Sequence, residues 1–431
     1  MCGPNYRSFS RPYCLQDIFR ITEVSDSKDL EGTEENPFST SSFLKDVFMC
    51  SLVAFGGPEA HLGVFLDRLV VKKNYLSEKA LMEWLALCSF LPGPTSTQVI
   101  TGIGLERGGR SLALLTFVVW ALPMILLMGC LSFIPQVFGS SNSFPVWLEF
   151  LVPMAAGFVA WAAWQIGRKV VTDKLSVALW AQGFAVVLMS GSPWGIPLIL
   201  LSGGILGIVL GDSQKSEPND NVVGNSFPWG IFTLFVGITS TCWIAMQFSP
   251  DSLIVLFERF YRYGYLVFGG GQVVVPVMQG ELVDQTGLLT AEEFLSGFGL
   301  VQALPGPMFS FAAFAGGFSE NQETVTRQAL GALLGGFAIF LPGTLLLFCV
   351  HPIWGKFRNL PWVPKALAGL NATAGGLIGG ALVVILLGID QSIPSYVFFI
   401  LTLFALMSRK IPAPILVILL GIISWGLGLV L

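Results

Sequence analysis

Charge is scarce in this chain. Asp, Glu, Lys and Arg make up 12% of its 431 residues, whereas soluble domains carry about 25%, so the mixture cannot present a polar enough surface to water. The solvent has to be lipid, in keeping with 53% hydrophobic residues and a mean hydropathy of +0.72. Histidine is almost missing, with 2 residues, and the 7 cysteines fall without CxxC spacing. They read as small apolar packing residues, with no metal centre and no disulfide framework. There is no P-loop, so coupling to protons or to the membrane potential is the default source of drive. The alternating pattern of a barrel is also missing. Backbone polar groups in lipid must be satisfied within their own segment, so the apolar stretches of about 20 residues that recur from residue 44 onward read as transmembrane helices. No cofactor and no nucleic-acid partner are expected, and a homo-oligomer is left open.

The beginning of the chain is different. Residues 1–42 are polar, with Arg7, Arg11 and Arg20 followed by Glu23, Asp26, Asp29, Glu31, Glu34 and Glu35, and no apolar core suits a signal peptide. A disordered cytoplasmic tail is expected. The acid-free first sixteen residues hint at an organelle transit peptide, but the acidic run behind them argues for the plasma membrane. A second polar stretch, "GDSQKSEPNDNVVGNS" at 211–226, reads as a linker.

What lies on either side of that linker is duplicated. "FGGPEAH" occupies 55–61 and "FGGGQVV" begins at Phe268, while "LPGP" occurs at 91–94 and 304–307, so one ungapped shift of 213 superposes both pairs. Under it Leu76-Ser77 meets Leu289-Thr290 and Gly104 meets Gly317. After a short insertion containing "ENQET", "ALPMILLMGC" (121–130) lines up with "FLPGTLLLFC" (340–349). The expected layout is a first repeat over 43–211, a linker over 212–226, an extra transmembrane helix over 227–248 and a second repeat over 249–431.

Lysine and arginine in short loops mark the cytoplasmic side. In the first half Arg168, Lys169 and Lys174 follow the segment 147–167, and the loops on either side carry no basic residue; in the second half the order reverses, with Lys356, Arg358 and Lys365 in one loop and Arg409 and Lys410 two loops later. The extra helix supplies the odd crossing, so the repeats are expected to be inverted. Basic residues follow both FGGP (Arg68, Lys72, Lys73, Lys79) and LPGP (Arg107, Arg110), which fits segments that enter, break and return. The predicted fold is an all-α polytopic membrane protein of two inverted homologous repeats with broken, re-entrant helices.

Proline has no N–H and glycine tolerates unusual dihedrals, so FGGP and LPGP are where helices stop and restart within the bilayer. Each restart exposes N–H groups at the positive end of a helix dipole, suited to an anion. Irregular backbone at that depth must be buried in protein or line a cavity, which points to a midplane site at the repeat interface. The residues implicated are Gly56, Gly57, Pro58, Pro92, Gly93, Pro94 and the "TSTQ" that follows, Thr95, Ser96, Thr97 and Gln98; in the second copy they are Gly269, Gly270, Gly271, Gln272, Pro305, Gly306, Pro307 and Ser310. A single glycine-proline kink is ordinary in a membrane helix; two pairs at one spacing favour function. Glu59, His61 and, more weakly, Glu83 are candidates for proton coupling or gating, because intramembrane ionisable groups are expensive. His351 at a helix end reads as an interfacial residue.

"FGGPEAHLGVF", "LSEKALMEWLALCSFLPGPTSTQ" with "GIGLERGG", and "FGGGQVVVPVM" with "LPGPMFSFAAFAGG" resemble the paired signatures of the chromate ion transporter family in its long, two-domain form, over roughly residues 43–431. The resemblance implies export of chromate, with sulfate as the similar oxyanion, and implicates the glycines and prolines of the four breaks together with Glu59, His61, Thr95 and Gln98. The expected function is therefore non-enzymatic transport of a tetrahedral dianion. A sulfate or other anion importer or exchanger and a channel are the alternatives within transport. A membrane enzyme acting on a lipid phosphate is a remote one, for want of a positioned nucleophile, base or metal cluster.

Overall fold

The computed structural model describes residues 38–55, 57–138, 148–189, 195–211, 226–248, 253–268, 274–357, 360–408 and 411–428, with the side chains of Pro58, Glu59, Phe138, Phe357 and Leu427 excepted. The expected tail falls almost wholly, and the linker largely, outside these residues. Every regular element described is helical. The first repeat comprises α1 (Thr40–Val53), α2 (Pro58–Phe65), α3 (Glu78–Phe90), α4 (Thr95–Leu131), α5 (Leu151–Val170), α6 (Lys174–Met189) and α7 (Gly195–Leu210). Then come the extra helix α8 (Trp229–Phe248) and the second repeat: α9 (Leu253–Leu266), α10 (Val274–Gln279), α11 (Ala291–Ala303), α12 (Phe311–Phe318), α13 (Val325–Ala338), α14 (Leu341–Val350), α15 (Trp362–Gly388), α16 (Ile393–Ser408) and α17 (Ala413–Gly428). α1 begins at Thr40, inside the stretch expected to be tail.

The shift of 213 carries over into structure. Thr40–Val53 maps onto Leu253–Leu266, and Glu78–Phe90 onto Ala291–Ala303, residue for residue. Both copies follow the second helix with a π-turn, Leu66–Lys72 and Gly280–Gln285. Both place a left-handed residue at the next bend, Asn74 (φ 49°) and Gly287 (φ 61°), and both cap the next helix with a hydroxyl, Ser77 and Thr290.

Length explains why the breaks are needed. At 1.5 Å per residue α1 and α3 reach about 20 Å, short of the roughly 30 Å hydrocarbon layer. α4 is bent at Gly108 and Gly109, where the dihedrals leave the helical region. The part before the bend is as short as α3, and the two form a hairpin with LPGP at its apex. Four described helices or helix runs are long and apolar enough to cross a membrane: Thr95–Leu131, Trp229–Phe248, Val325–Lys356 and Trp362–Gly388. α8 packs on α9 and α14 and buries only Cys242, as suits a helix added at the rim.

Charge distinguishes the copies. Lys45, Asp46, Arg68 and Arg107 stand where the second repeat has Glu258, Arg259, Glu281 and Glu320, so the sign is exchanged at each position. The ion pair is kept while its polarity reverses: Arg68 meets Asp46 at 3.0 Å, and Arg259 meets Glu281 at 3.3 Å. Each pair ties the first helix of its repeat to the π-turn. Reversed charge at equivalent positions is what the preference of basic residues for one membrane face requires of inverted copies.

The halves interlock. α15 packs on α5, α6 and α7, and α5 in turn packs on α16. Small residues permit the approach: Gly183 and Gly203 lie against Thr373, and Gly207 lies against Gly369.

Candidate binding site at the paired helix breaks

Each LPGP break docks on the other repeat. The Gly93 N–H donates to the Val267 carbonyl at 2.8 Å, and the Gly306 N–H donates to the Ala54 carbonyl at 2.7 Å. The shift of 213 converts one bond into the other, the reciprocity that a two-fold axis demands. Neighbours follow the same rule: a side chain at Gly93 would meet the Gly264 carbonyl and Gly343, and one at Gly306 would meet the Ser51 carbonyl and Met124. Both glycines have positive φ, 111° and 86°, so the turn and the close approach together exclude larger residues. Gly57 (φ 85°) faces Met308 across the interface, 3.7 Å from where a Cβ would stand. The two LPGP turns thus dock, as a symmetry-related pair of contacts, on the residues Val267 and Ala54 of the opposite repeat.

Helix starts at the breaks are bare. α2 behind Gly57, α4 behind Pro94 and the turn behind Pro307 have no side-chain cap, whereas Ser77, Thr290 and Thr324 cap helices elsewhere. The first N–H groups of such helices have no intrahelical acceptor.

Polar side chains gather at the first break. His61, 1% exposed, shares a 2.9 Å hydrogen bond between Nδ1 and the Ser96 hydroxyl, and its Nε2 has no partner. Trp120 Nε1 donates to the Thr97 hydroxyl at 3.1 Å, and its ring lies edge-on to His61 at 5.5 Å. Thr95 is half-buried beside them. Gln98 holds the repeats together: its Nε2 donates to the carbonyls of Pro92 (2.8 Å) and Gly343 (3.1 Å), leaving Oε1 buried and unpaired. Its donors are therefore committed to backbone, which sequence alone did not suggest.

The second break is apolar by comparison. Val274, Phe309, Ser310 and Ile339 occupy the places of His61, Ser96, Thr97 and Trp120. Of these only Ser310 is polar; it is fully buried and its hydroxyl has no partner. Pro92 and Pro305 are half-buried, and Pro94 and Pro307 are buried N-caps. Gly56, Gly269, Gly270, Gly271 and Gln272 lie outside the described residues, as do the side chains of Pro58 and Glu59. Glu83 is exposed on α3 and stands apart from the buried cluster.

Trp120, Gly343 and the carbonyls of Ala54 and Val267 were not foreseen. Trp120 gave one usable signal, an indole donor in the middle of an apolar span. His351 stacks on Trp84 at 4.7 Å, and Trp84 donates to Glu106 at 2.6 Å. No group of three or more His, Cys, Asp or Glu side chains that could hold a metal occurs among the described residues.

Residues 42–208 and 254–425 match the family profile described as chromate transporter. The chain is 27% identical to a probable chromate transport protein of Synechococcus elongatus over 90% of its own length and 95% of that protein. It is 26% identical to a chromate transport protein of Cupriavidus metallidurans over 87% and 90%. An uncharacterized transporter of Bacillus subtilis is 26% identical over 33% of this chain and 78% of its own. No solved structure matches significantly.

Proposed function

Because the chain belongs to the chromate transporter family, and because it is an integral multi-pass membrane protein, we propose that it moves chromate and sulfate-like dianions across the plasma membrane through the paired helix breaks. The observation that carries this reading is the set of uncapped helix starts gathered beside buried hydroxyls at the repeat interface. N–H groups at the head of α4 offer an oxyanion hydrogen bonds and the positive end of a dipole, without a fixed cation that would hold it too tightly. The Ser96 and Thr97 hydroxyls and the Ser310 hydroxyl of the other repeat complete a two-sided donor set. No covalent step is involved.

His61 is the gate in this scheme. Its bond to Ser96 couples the protonation and position of the ring to a hydroxyl just behind the break, and Glu59 is a second candidate for proton coupling. Access alternates as one repeat rocks against the other about the reciprocal Gly93 and Gly306 contacts. Efflux is the favoured direction, since moving a dianion out of a negative interior gains about 2.3 kcal/mol per charge per 100 mV.

Liposomes containing the purified protein, loaded with labelled chromate or sulfate, test the reading. Saturable flux is expected, accelerated by an inside-negative potential. Ser96→Ala and Thr97→Val should raise the half-saturating anion concentration about tenfold, one strong hydrogen bond's worth. Unchanged saturation in both variants, with normal folding, refutes the site; flux indifferent to a pH gradient removes the role given to His61.

A further inference from the structure

A cavity that the anion pathway does not use lies where α6 and α7 of the first repeat meet α9, α10, the following π-turn and α15 of the second. Its volume is about 140 Å³, and its polar lining comes from Arg262, Gln279, Glu281, Asp284 and Gln285. Asp284 and Gln285 are exposed, Glu281 and Arg262 lie deeper, and Gln279 is only 5% exposed. The Gln279 carboxamide oxygen has no hydrogen-bond partner. An unpaired buried amide oxygen costs free energy that a bound donor or cation returns.

Electrostatics decides the sign of the occupant. Arg262 is consumed by its neighbours: Nε and one terminal nitrogen donate to Glu258, and both terminal nitrogens donate to Glu281, at 2.8 to 3.1 Å. Arg259 also faces Glu281. The three carboxylates Glu258, Glu281 and Asp284 thus stand against two guanidiniums, an excess of one negative charge, and Asp284 has no ion-pair partner among the described residues. Besides these groups, α9 contributes Tyr263, over whose ring Arg262 lies at 5.7 Å. The other walls come from α6, α7 and α15 and from Leu266, Pro276, Val277 and Gly280, and hold nothing that titrates.

The first repeat supplies the contrast. Its residues at the places of Glu258, Gln279, Glu281, Asp284 and Gln285 are Lys45, Leu66, Arg68, Val71 and Lys72. These equivalent positions are thus basic in the first repeat and acidic in the second, so an anion is attracted by the first set and repelled by the second.

We propose that the acidic cavity binds a single monovalent cation, a sodium ion or a hydrated proton, held between Asp284 and Gln279. Oxygen donors without nitrogen or sulfur suit a hard cation. The volume leaves room for an ion with several waters, since each water occupies at least about 10 to 15 Å³ by the same measure. No cluster of three acidic, histidine or cysteine ligands for a divalent metal is found among the described residues. Coupling ions in inverted-repeat transporters bind beside interrupted helices, and the π-turn at Gly280–Gln285 is such an interruption.

The test reads binding on the purified full chain in detergent, so it does not depend on what the protein transports. Thermal unfolding is followed by a thiol-reactive dye while sodium replaces choline at constant ionic strength, and a second arm varies pH from about 5.5 to about 8 in choline alone. Sodium should raise the unfolding midpoint saturably. Asp284→Asn and Gln279→Leu should each raise the half-saturating concentration about tenfold, while Asp284→Glu stays within about threefold of the parent. A flat sodium arm with a pH arm that separates the parent from Asp284→Asn identifies the ion as the proton. If parent, Asp284→Asn and Gln279→Leu respond identically in both arms, the cavity holds no cation and the proposal falls.

Discussion

Replacing Gly93 by alanine tests the reciprocal docking directly. The residue sits at φ 111°, a region L side chains rarely adopt, at a cost of about 1 to 3 kcal/mol. The new methyl would stand 3.2 Å from the Gly264 carbonyl oxygen, 3.3 Å from Gln98 Nε2 and 3.4 Å from Gly343 Cα. Two of those neighbours are backbone of the other repeat, so relief means separating the repeats and stretching the Gly93 to Val267 bond, worth about 1 kcal/mol. A loss of about 2 to 4 kcal/mol follows. Gly109→Ala is the control: its φ is 68°, but nothing lies within 4 Å of the added carbon, so it bears the dihedral cost alone. Unfolding of both variants in mixed micelles, followed by reactivity of the buried thiols Cys50, Cys88, Cys242 and Cys349, should place Gly93→Ala at least about 1 kcal/mol below Gly109→Ala. Equal losses would mean that the inter-repeat contact contributes nothing beyond backbone strain.

Other expectations rest on separate features. Glu281→Gln should cost about 2 to 4 kcal/mol, because Arg259 and Arg262 both face this largely buried carboxylate. Arg68→Met should cost about 1 kcal/mol, since Asp46 keeps Lys73 and Tyr75; micellar unfolding that ranks the two the other way refutes the assignment. Gly376→Val places a side chain on the Trp180 backbone and should abolish folded yield in size-exclusion chromatography, whereas Gly237→Val, with open space around it, should leave the yield unchanged. The Ser176 backbone N–H, which donates to Asp173 at 2.7 Å, holds that carboxyl below its ordinary range. A depressed pKa contributes stability above the unfolded value and loses it as pH falls through the folded one. Protection of the Ser176 amide, corrected for intrinsic exchange, should therefore be constant at neutral pH and decline only below about pH 4; a decline near neutrality would contradict the cap.

The architecture was legible because the duplicated words are spaced alike. A single shift of 213 foretold which helices would share bounds, as α1 and α9 do, and the apolar segment between the copies is helical over Trp229–Phe248. The contact map was not legible. LPGP announces a break but not its acceptor, and Ala54 and Val267 take part only through their carbonyls, which every residue possesses. Gln98 looked like an anion donor because amides after a helix break often are; its commitment to Pro92 and Gly343 depends on a distant segment brought within 3.1 Å. The pairing of His61 with Ser96 likewise arises from folding, since 35 positions separate them. Glu83 shows the opposite failure, a carboxylate in an apolar run that turns outward while Trp84 beside it turns in.

The crossed bonds at Gly93 and Gly306 bear on how the polypeptide matures. While a ribosome is still making the second half, the Gly93 amide has no acceptor and α5, α6 and α7 have no α15 to clasp. The leading half must wait in the bilayer, unfinished, until its mirror partner arrives.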